Sequence, residues 1–564
     1  MNPIVEKLGN LWPEITMLVG AIACLFTGLA GRQSIRRLTP AVAVLAIIIA
    51  FVLARFTGGD DAGQFLGLGG LAGYLKLAIL GIGLILVLVA TGTVDKLKQV
   101  VQAESREGKA FDPGDDFKAE FYAFTLFSLT GAMLCAGASD LVWLFLALEL
   151  TSLPTYVMVA TSRDKPFAQE AAVKYFFLGA LSAAVFLYGF ALIYGATGLT
   201  EFAAISAYVQ ANGVSPLMLT GTVLAVVGVC FKIAAVPMHF YTADVYEGAA
   251  TPVSAFLAFV PKTAGFAALI ALLGLVGWDH GTGANQTELP DVLVYLIAGI
   301  AALTMTIGNV LGLVQTRIKR VLAYSSIAHS GYMLVGLLAG PALAMELQST
   351  MPGANFSLSN GVAAVLFYLV AYGLSTVGTF AVIGCLTRPD GEEVQTYDDL
   401  AGLRHRHPFQ AGVLLISVIS LVGLPPLVGF LGKLFLIGAV YSAGSGDSPN
   451  AGLYQGLVVL MVINSAISGV YYLRIASAAF FGEDKGQTVE ATMPSRRWGG
   501  AAAAAAALAL GGLPGDWLIT SAERAAESFE QEPSTRRDAP AEPPAALIDE
   551  AARPGDTAFQ NRPG

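Results

Sequence analysis

Six ionisable side chains stand in stretches too apolar to offer them water. Glu149 lies in LFLALELTSLP, Lys174 in EAAVKYFFLGALSAAVFLYG, Lys232 in FKIAAVPMHFYTADVYEG, Lys262 in AFVPKTAGF, His329 in KRVLAYSSIAHSGYML and Lys433 in PPLVGFLGKLFL. A charge at the centre of a membrane-spanning helix costs roughly 2.5–3.5 kcal/mol on insertion scales, so such residues mark pathways more often than accidents. Burial disfavours a charged ammonium and a neighbouring carboxylate restores it, so lysines and a glutamate that rearrange can take up and release protons. One proton moved against 100 mV is worth roughly 2.3 kcal/mol, which the rearrangement of a single Glu–Lys pair can supply. The competing use is a set of static ion pairs between helices. One acid, Glu149, against the four lysines leaves such pairs unbalanced.

Two of the lysines come with prolines. Lys232 precedes Pro237, and Lys433 follows Pro425-Pro426. Proline removes a helical hydrogen-bond donor, and interrupted backbone at membrane depth is tolerated where it is buried in protein or lines a watered cavity. Broken helices in corresponding parts of two halves point to transport sites. His329, one turn beyond Ser325, either links the halves of a proton path or is an ordinary hydrogen-bonded core residue. His239 would be a second link if the helix carrying Lys232 stayed continuous, which Pro237 argues against.

The elements that position these groups are membrane helices. Of 564 residues, 55% are hydrophobic and only 13% charged, about half the charged share of a soluble protein. Apolar runs near span length recur along nearly the whole chain. They predict fourteen helices, centred on 11–30, 38–54, 71–93, 119–137, 140–160, 168–195, 216–238, 251–276, 292–313, 321–339, 361–386, 408–441, 454–481 and 498–512. Pro425-Pro426 splits the twelfth into two half-helices. Basic residues gather in alternate connections: Arg32, Arg36 and Arg37, then Lys96 to Lys118, Arg163 and Lys165, Arg317 to Arg320, Arg388 to Arg406, and Lys485 to Arg497. The connections of opposite parity hold Arg55 alone, which predicts both termini on the outer side. Lys76, near a helix start, is expected to snorkel, and Arg474 to pair with lipid or a neighbouring helix.

The loop from Val94 to Lys118 reads as solvated, and the Pro-, Ala- and acid-rich chain beyond Ala522 as disordered. Cys24, Cys135, Cys230 and Cys385 are scattered singly, which gives no support to a disulfide, zinc or iron–sulfur site. No phosphate-binding GxxxxGK[ST] sequence occurs, and the net charge of −9 suggests no nucleic-acid partner. No metal or cofactor is expected on this chain.

The stretches LFLALELTSLPTYVMVA, EAAVKYFFLGALSAAVFLYGFALIYGATG, FKIAAVPMHFYTADVYEGAATPVSAFLA, RIKRVLAYSSIAHSGYMLVG and SLVGLPPLVGFLGKLFL resemble the subunit N family of the bacterial NADH-quinone oxidoreductase, respiratory complex I. The resemblance covers roughly residues 120 to 480. It implies an all-α polytopic membrane protein of about fourteen transmembrane helices, with two inverted five-helix repeats and broken helices seven and twelve. The units would be 1–118 (three helices and a polar cytoplasmic loop), 119–276 and 292–481 (the two repeats), 498–521 (a last helix) and 522–564 (the tail). It further implies proton translocation driven by quinone reduction on other subunits, which would carry NADH, FMN, iron–sulfur clusters and quinone. Glu149, Lys174, Lys232, Lys262 and Lys433 match the charged residues of helices five, six, seven, eight and twelve, and His329 falls in the serine- and histidine-bearing motif. Other membrane and peripheral subunits and membrane lipid are the implied partners, and a bacterial plasma membrane the implied location.

Two departures stand out. The family carries prolines near YTADVYEGAA where this chain has Ala243 and Ala250, which predicts a looser loop after Lys232. The Lys–Pro order also differs between the two breaks, so the halves are not a simple sequence repeat. A subunit of a multisubunit sodium/proton antiporter shares the implied fold and is the alternative function. A purely structural membrane scaffold is the third.

Overall fold

The structure is a computed structural model. It describes residues 11–56, 70–91, 119–161, 166–278, 289–341, 360–388, 393–445, 449–483, 489–490, 494–512 and 517–526. The expected loop from Val94 to Lys118 and the tail beyond 526 lie outside the described residues.

The described chain is built from helices. They are α1 (Trp12–Gly28), α2 (Thr39–Phe56), α3 (Gly70–Ala90), α4 (Ala119–Ala136), α5 (Leu141–Thr161), α6 (Pro166–Thr197), α7 (Phe202–Asn212), α8 (Pro216–Val229) and α9 (Thr242–Gly248). Then follow α10 (Thr251–Val276), α11 (Asp291–Leu313), α12 (Ile318–Ala339), α13 (Gly361–Cys385), α14 (Pro408–Val422), α15 (Val428–Ala443), α16 (Ala451–Phe481) and α17 (Pro494–Ala509). Every expected apolar segment is helical, with the seventh and twelfth broken. Among the described residues, ten helices are long and apolar enough to cross a membrane, and four shorter apolar ones, α1, α8, α14 and α15, join them. The chain is an all-α multi-pass membrane protein.

Local chemistry sets the ends. Pro216 opens α8 with Ser215 accepting from Met218 N at 3.2 Å, and Asn360 caps α13 by accepting from Ala363 N at 2.8 Å. Gly423 ends α14 with φ of 86°, a left-handed conformation that glycine adopts without penalty. The amphipathic connector α7 and the first turns of α9 were not foreseen from hydropathy, being short and mixed in composition. Residues 517–526 are also helical, with Ala522, Ala525 and Ala526 buried, so ordered helix runs past Ala522, where disorder was expected. Small side chains supply enough packing there.

The helices fall into an inner and an outer set. α10, α12 and α13 are almost wholly buried, while α2, α6 and α16 keep broad exposed apolar faces. Backbones in the interior approach through glycines. A Cβ on Gly131 of α4 would lie 2.4 Å from Thr151 N of α5, and one on Gly308 of α11 would lie 2.7 Å from Ala328 N of α12. In hydrocarbon, where helix association gains nothing from expelling water, such close packing is a main source of cohesion.

Candidate functional site

The first break lies between α8 and α9, where residues 230–241 leave the helix. Pro237 has no N–H, and Ala234 adopts a left-handed φ of 56°. The freed polar groups find partners on other helices and within the interruption itself. Ser182 Oγ donates to Gly228 O at 2.7 Å, Tyr241 OH to Phe231 O at 2.8 Å and Ser330 Oγ to Ile233 O at 2.5 Å. Val236 N donates to Thr304 Oγ1 at 2.9 Å. Broken backbone survives in an apolar interior only when satisfied in this way.

Lys232 sits in this interruption. Its Nζ lies 3.1 Å from Glu149 Oε1 and donates to Ser152 Oγ at 2.6 Å, both on α5. The lysine side chain is 2% exposed and the glutamate 19%, so the pair is open on the acid's side only. The rings of Phe186 and Phe231 flank the ammonium at 5.5 and 5.8 Å.

Lys262 is more isolated. It lies mid-way along α10, 1% exposed, and donates to Ser326 O and to Ser330 Oγ, the latter at 2.7 Å. The Tyr372 ring lies 5.3 Å from its Nζ. Every group it bonds is neutral. Ser330 therefore serves both lysines: it accepts from Lys262 and donates to the carbonyl one residue past Lys232.

On the far side of α12, His329 Nδ1 meets Tyr368 OH at 2.6 Å and Nε2 meets Tyr472 OH at 2.9 Å. Lys433, near the start of α15, donates to Val422 O at 2.7 Å, and the Tyr332 ring lies 5.3 Å away. Val422 is the last residue of α14, so Lys433 reaches back across Pro425-Pro426 to the carbonyl end of the preceding half-helix. Lys232 likewise lies just past the carbonyl end of α8. The Lys433 ammonium therefore sits at the negative pole of a half-helix, whereas that of Lys232 turns to Glu149 and Ser152 of α5.

Lys174 behaves differently from the expectation of a residue well inside a span. It is in the first third of the 32-residue α6, 43% exposed at its side chain, and ion-paired with Glu170 at 2.7 Å and Asp244 at 2.9 Å. Asp244 also pairs with Arg320 at 2.8 Å, and Arg320 with Glu247 at 3.0 Å. The expected excess of lysines over acids is smaller than four to one: Lys174 has carboxylates of its own, Glu170 on α6 and Asp244 on α9, while Lys262 and Lys433 bond neutral groups. It does not join Lys232 and Lys262. Beside this cluster opens a cleft of about 710 Å³, lined by Glu247, Arg317, Lys319, Arg320 and Glu393 among others.

Other expectations resolve similarly. Lys76 does not snorkel; it pairs at 2.8 Å with Glu14 of α1, which is 2% exposed. Arg474 bonds Leu313 O of a neighbouring helix at 3.0 Å. His239 lies within the interruption, off any continuous helix. Ala243 is inside α9 and Ala250 caps α10, so the segment without the expected prolines is nonetheless helical. Among the described residues, no group of three or more His, Cys, Asp or Glu side chains converges as a metal site would require.

Residues 138–448 match the family described as NADH:quinone oxidoreductase/Mrp antiporter, transmembrane. The chain belongs to that family. It is 37% identical over 490 residues to NADH-quinone oxidoreductase subunit N 1 of Rhizobium meliloti (strain 1021), covering 86% of this chain and 90% of the relative. It is 42% identical over 379 residues to subunit N of Trichlorobacter lovleyi, covering 66% of this chain and 70% of the relative. Among solved structures, a chain of respiratory complex I from Thermus thermophilus with bound aureothin superposes with a TM-score of 0.68 at 30% identity, over 91% of this chain and 99% of that one. A chain of the Mrp complex from Dietzia sp. shares the fold, with a TM-score of 0.70 at 18% identity.

Within this membrane family, sequence reasoning missed the tyrosines. Tyr332, Tyr368, Tyr372 and Tyr472 surround His329 and the two lysines beside it. A signal existed in Tyr368 and Tyr372, one turn apart in a largely apolar helix, but a tyrosine in an apolar run looks like core until its hydroxyl is placed.

Proposed function

We propose that this chain is a proton-translocating membrane subunit of an NADH-quinone oxidoreductase, coupled to electron transfer on other subunits. The observation that carries the reading is Lys262. A lysine 1% exposed, bonded only to serines and faced by a tyrosine ring, adds nothing to a scaffold that an uncharged residue would not do better. It is useful where a proton must reside transiently in the membrane interior. Protons would reach Glu149 and Lys232 from the inner side, pass to Lys262, cross by way of His329 and leave past Lys433. Lys174, with Glu170, Asp244 and Arg320, would gate the watered cleft at the first half rather than form part of the buried row.

The finer architecture belongs to the same proposal. Fourteen helices would cross the membrane, with 119–276 and 292–481 forming inverted repeats between 1–118 and 498–521, and both termini outside. Supporting this, the α4–α5 and α11–α12 pairs use the same glycine crossing, and each broken segment carries a buried lysine, Lys232 and Lys433. Relatives of 37% and 42% identity are named as subunit N, which favours the oxidoreductase over a sodium/proton antiporter. Partners would be the other membrane and peripheral subunits, which would carry NADH, FMN, iron–sulfur clusters and quinone.

The test is Lys232→Ala in membrane vesicles, with assembly verified by co-purification of neighbouring subunits. NADH-driven pumping should collapse. Full pumping by the assembled variant would make the charges static and refute the proposal.

A further inference from the structure

Each ring nitrogen of His329 meets a tyrosine hydroxyl, Tyr368 at Nδ1 and Tyr472 at Nε2, at 2.6 and 2.9 Å. Tyr472 OH also bonds Ser325 Oγ. His329 is 1% exposed, and Tyr368 and Tyr472 are as deeply buried. The result is a continuous hydrogen-bonded chain, Ser325–Tyr472–His329–Tyr368. A neutral imidazole has one N–H and one lone pair, so one tyrosine must donate to the ring while the other accepts from it. The chain therefore has two directions, and reversing it moves the ring proton from one nitrogen to the other.

Its ends adjoin neighbours of the buried lysines. Ser325 precedes Ser326, whose carbonyl accepts from Lys262. At the other end the Tyr368 ring packs so closely on Gly432, the residue before Lys433, that a Cβ there would lie 2.4 Å from it. Both lysines lie within Coulombic reach of the imidazole.

We propose that Tyr368 and Tyr472 are the proton-relay residues that load and unload His329, making the histidine a tautomeric shuttle between the Lys262 and Lys433 sides. This rests on the reading of those lysines as proton carriers. In the step, a proton arriving from Ser325 joins Tyr472 oxygen as the Tyr472 hydroxyl proton moves to Nε2. The Nδ1 proton passes to Tyr368 oxygen, and the Tyr368 hydroxyl proton leaves towards Lys433. Each O–H or N–H bond broken is matched by one formed, and the ring ends neutral as the other tautomer. Rotation of the hydroxyls and return of the ring proton reset the chain.

The test measures protons moved per NADH oxidised, in vesicles carrying the assembled complex, for Tyr368→Phe, Tyr472→Phe, His329→Ala and the double variants. Phenylalanine keeps each ring, and the two variants interrupt opposite ends of the chain, so either one that assembles is a test. Tyr74→Phe, which removes a buried hydroxyl donating to Leu366 O at 3.3 Å, controls for loss of a buried hydrogen bond. Each relay Tyr→Phe variant should fall to the level of His329→Ala, the doubles should fall no further, and Tyr74→Phe should pump normally. Full pumping in either relay variant, losses that add in the doubles, or an equal loss in Tyr74→Phe would overturn the relay. If His329→Ala and Lys262→Met both pump fully, the underlying functional reading fails. If they do not while the tyrosine variants do, only the relay fails.

Discussion

Glu149→Gln isolates one charge at the first break without changing its shape. At 3.1 Å and an effective dielectric of about 20, the attraction between the Glu149 carboxylate and the Lys232 ammonium is about 5 kcal/mol. That is roughly twice the work of moving one charge against 100 mV, so the pair is strong enough to hold a proton against the potential and to release it when separated. Glutamine removes the attraction and leaves Lys232 with Ser152 Oγ at 2.6 Å as its remaining side-chain partner. Glu149→Asp keeps the charge but withdraws it by about one bond length, ~1.5 Å, which lowers the attraction to roughly two-thirds. The expected order of NADH-driven pumping in vesicles, at equal assembly and equal content of the chain, is wild type, then aspartate at an intermediate level, then glutamine near background. Equal pumping in wild type and Glu149→Gln would show that the pair has no part in transport. A defect in the aspartate variant as deep as in glutamine would show that shape rather than charge is being read.

Further outcomes follow from the packing around the site. Ser330→Ala removes the hydroxyl that joins Lys262 to Ile233 O; an orphaned buried carbonyl costs about 1–3 kcal/mol, seen as a lowered thermal midpoint in detergent, with pumping impaired as well. Gly308→Val forces a side chain into Ala328 N of α12, and overpacking at a backbone crossing costs about 1–3 kcal/mol or more, read as loss of the chain from the membrane fraction. Arg496→Ala frees α17 from Val89 O and Gly384 O, lowering the thermal midpoint without a direct effect on the distant lysine row; Arg496→Lys should recover only part of it.

The helices were legible because membrane spans announce themselves by length and hydropathy, and the two breaks because proline lacks a donor. Lys232 and Lys433 could be placed at those breaks from spacing alone. What could not be read was which carboxylates reach which lysines. Asp244 and Glu247 sit on α9, a seven-residue helix following the first interruption, and their meeting with Lys174, Arg317 and Arg320 depends on tertiary packing that no periodicity encodes. Glu14 escaped notice for a similar reason: one acid in the first turn of α1 looks interfacial until α3 brings Lys76 to it. The tyrosine cage of His329 is assembled from α12, α13 and α16, so its logic exists only in three dimensions.

Lys262 is the residue on which the account turns, because it is buried among neutral groups and so has no static ion pair to explain it. Lys262→Met keeps the length and apolar stem of the side chain and removes only the ionisable group. Pumping by the assembled complex in sealed vesicles, normalised to its NADH oxidation, should fall steeply in this variant. Pumping at the wild-type ratio would contradict the claim that the buried row of charges carries protons.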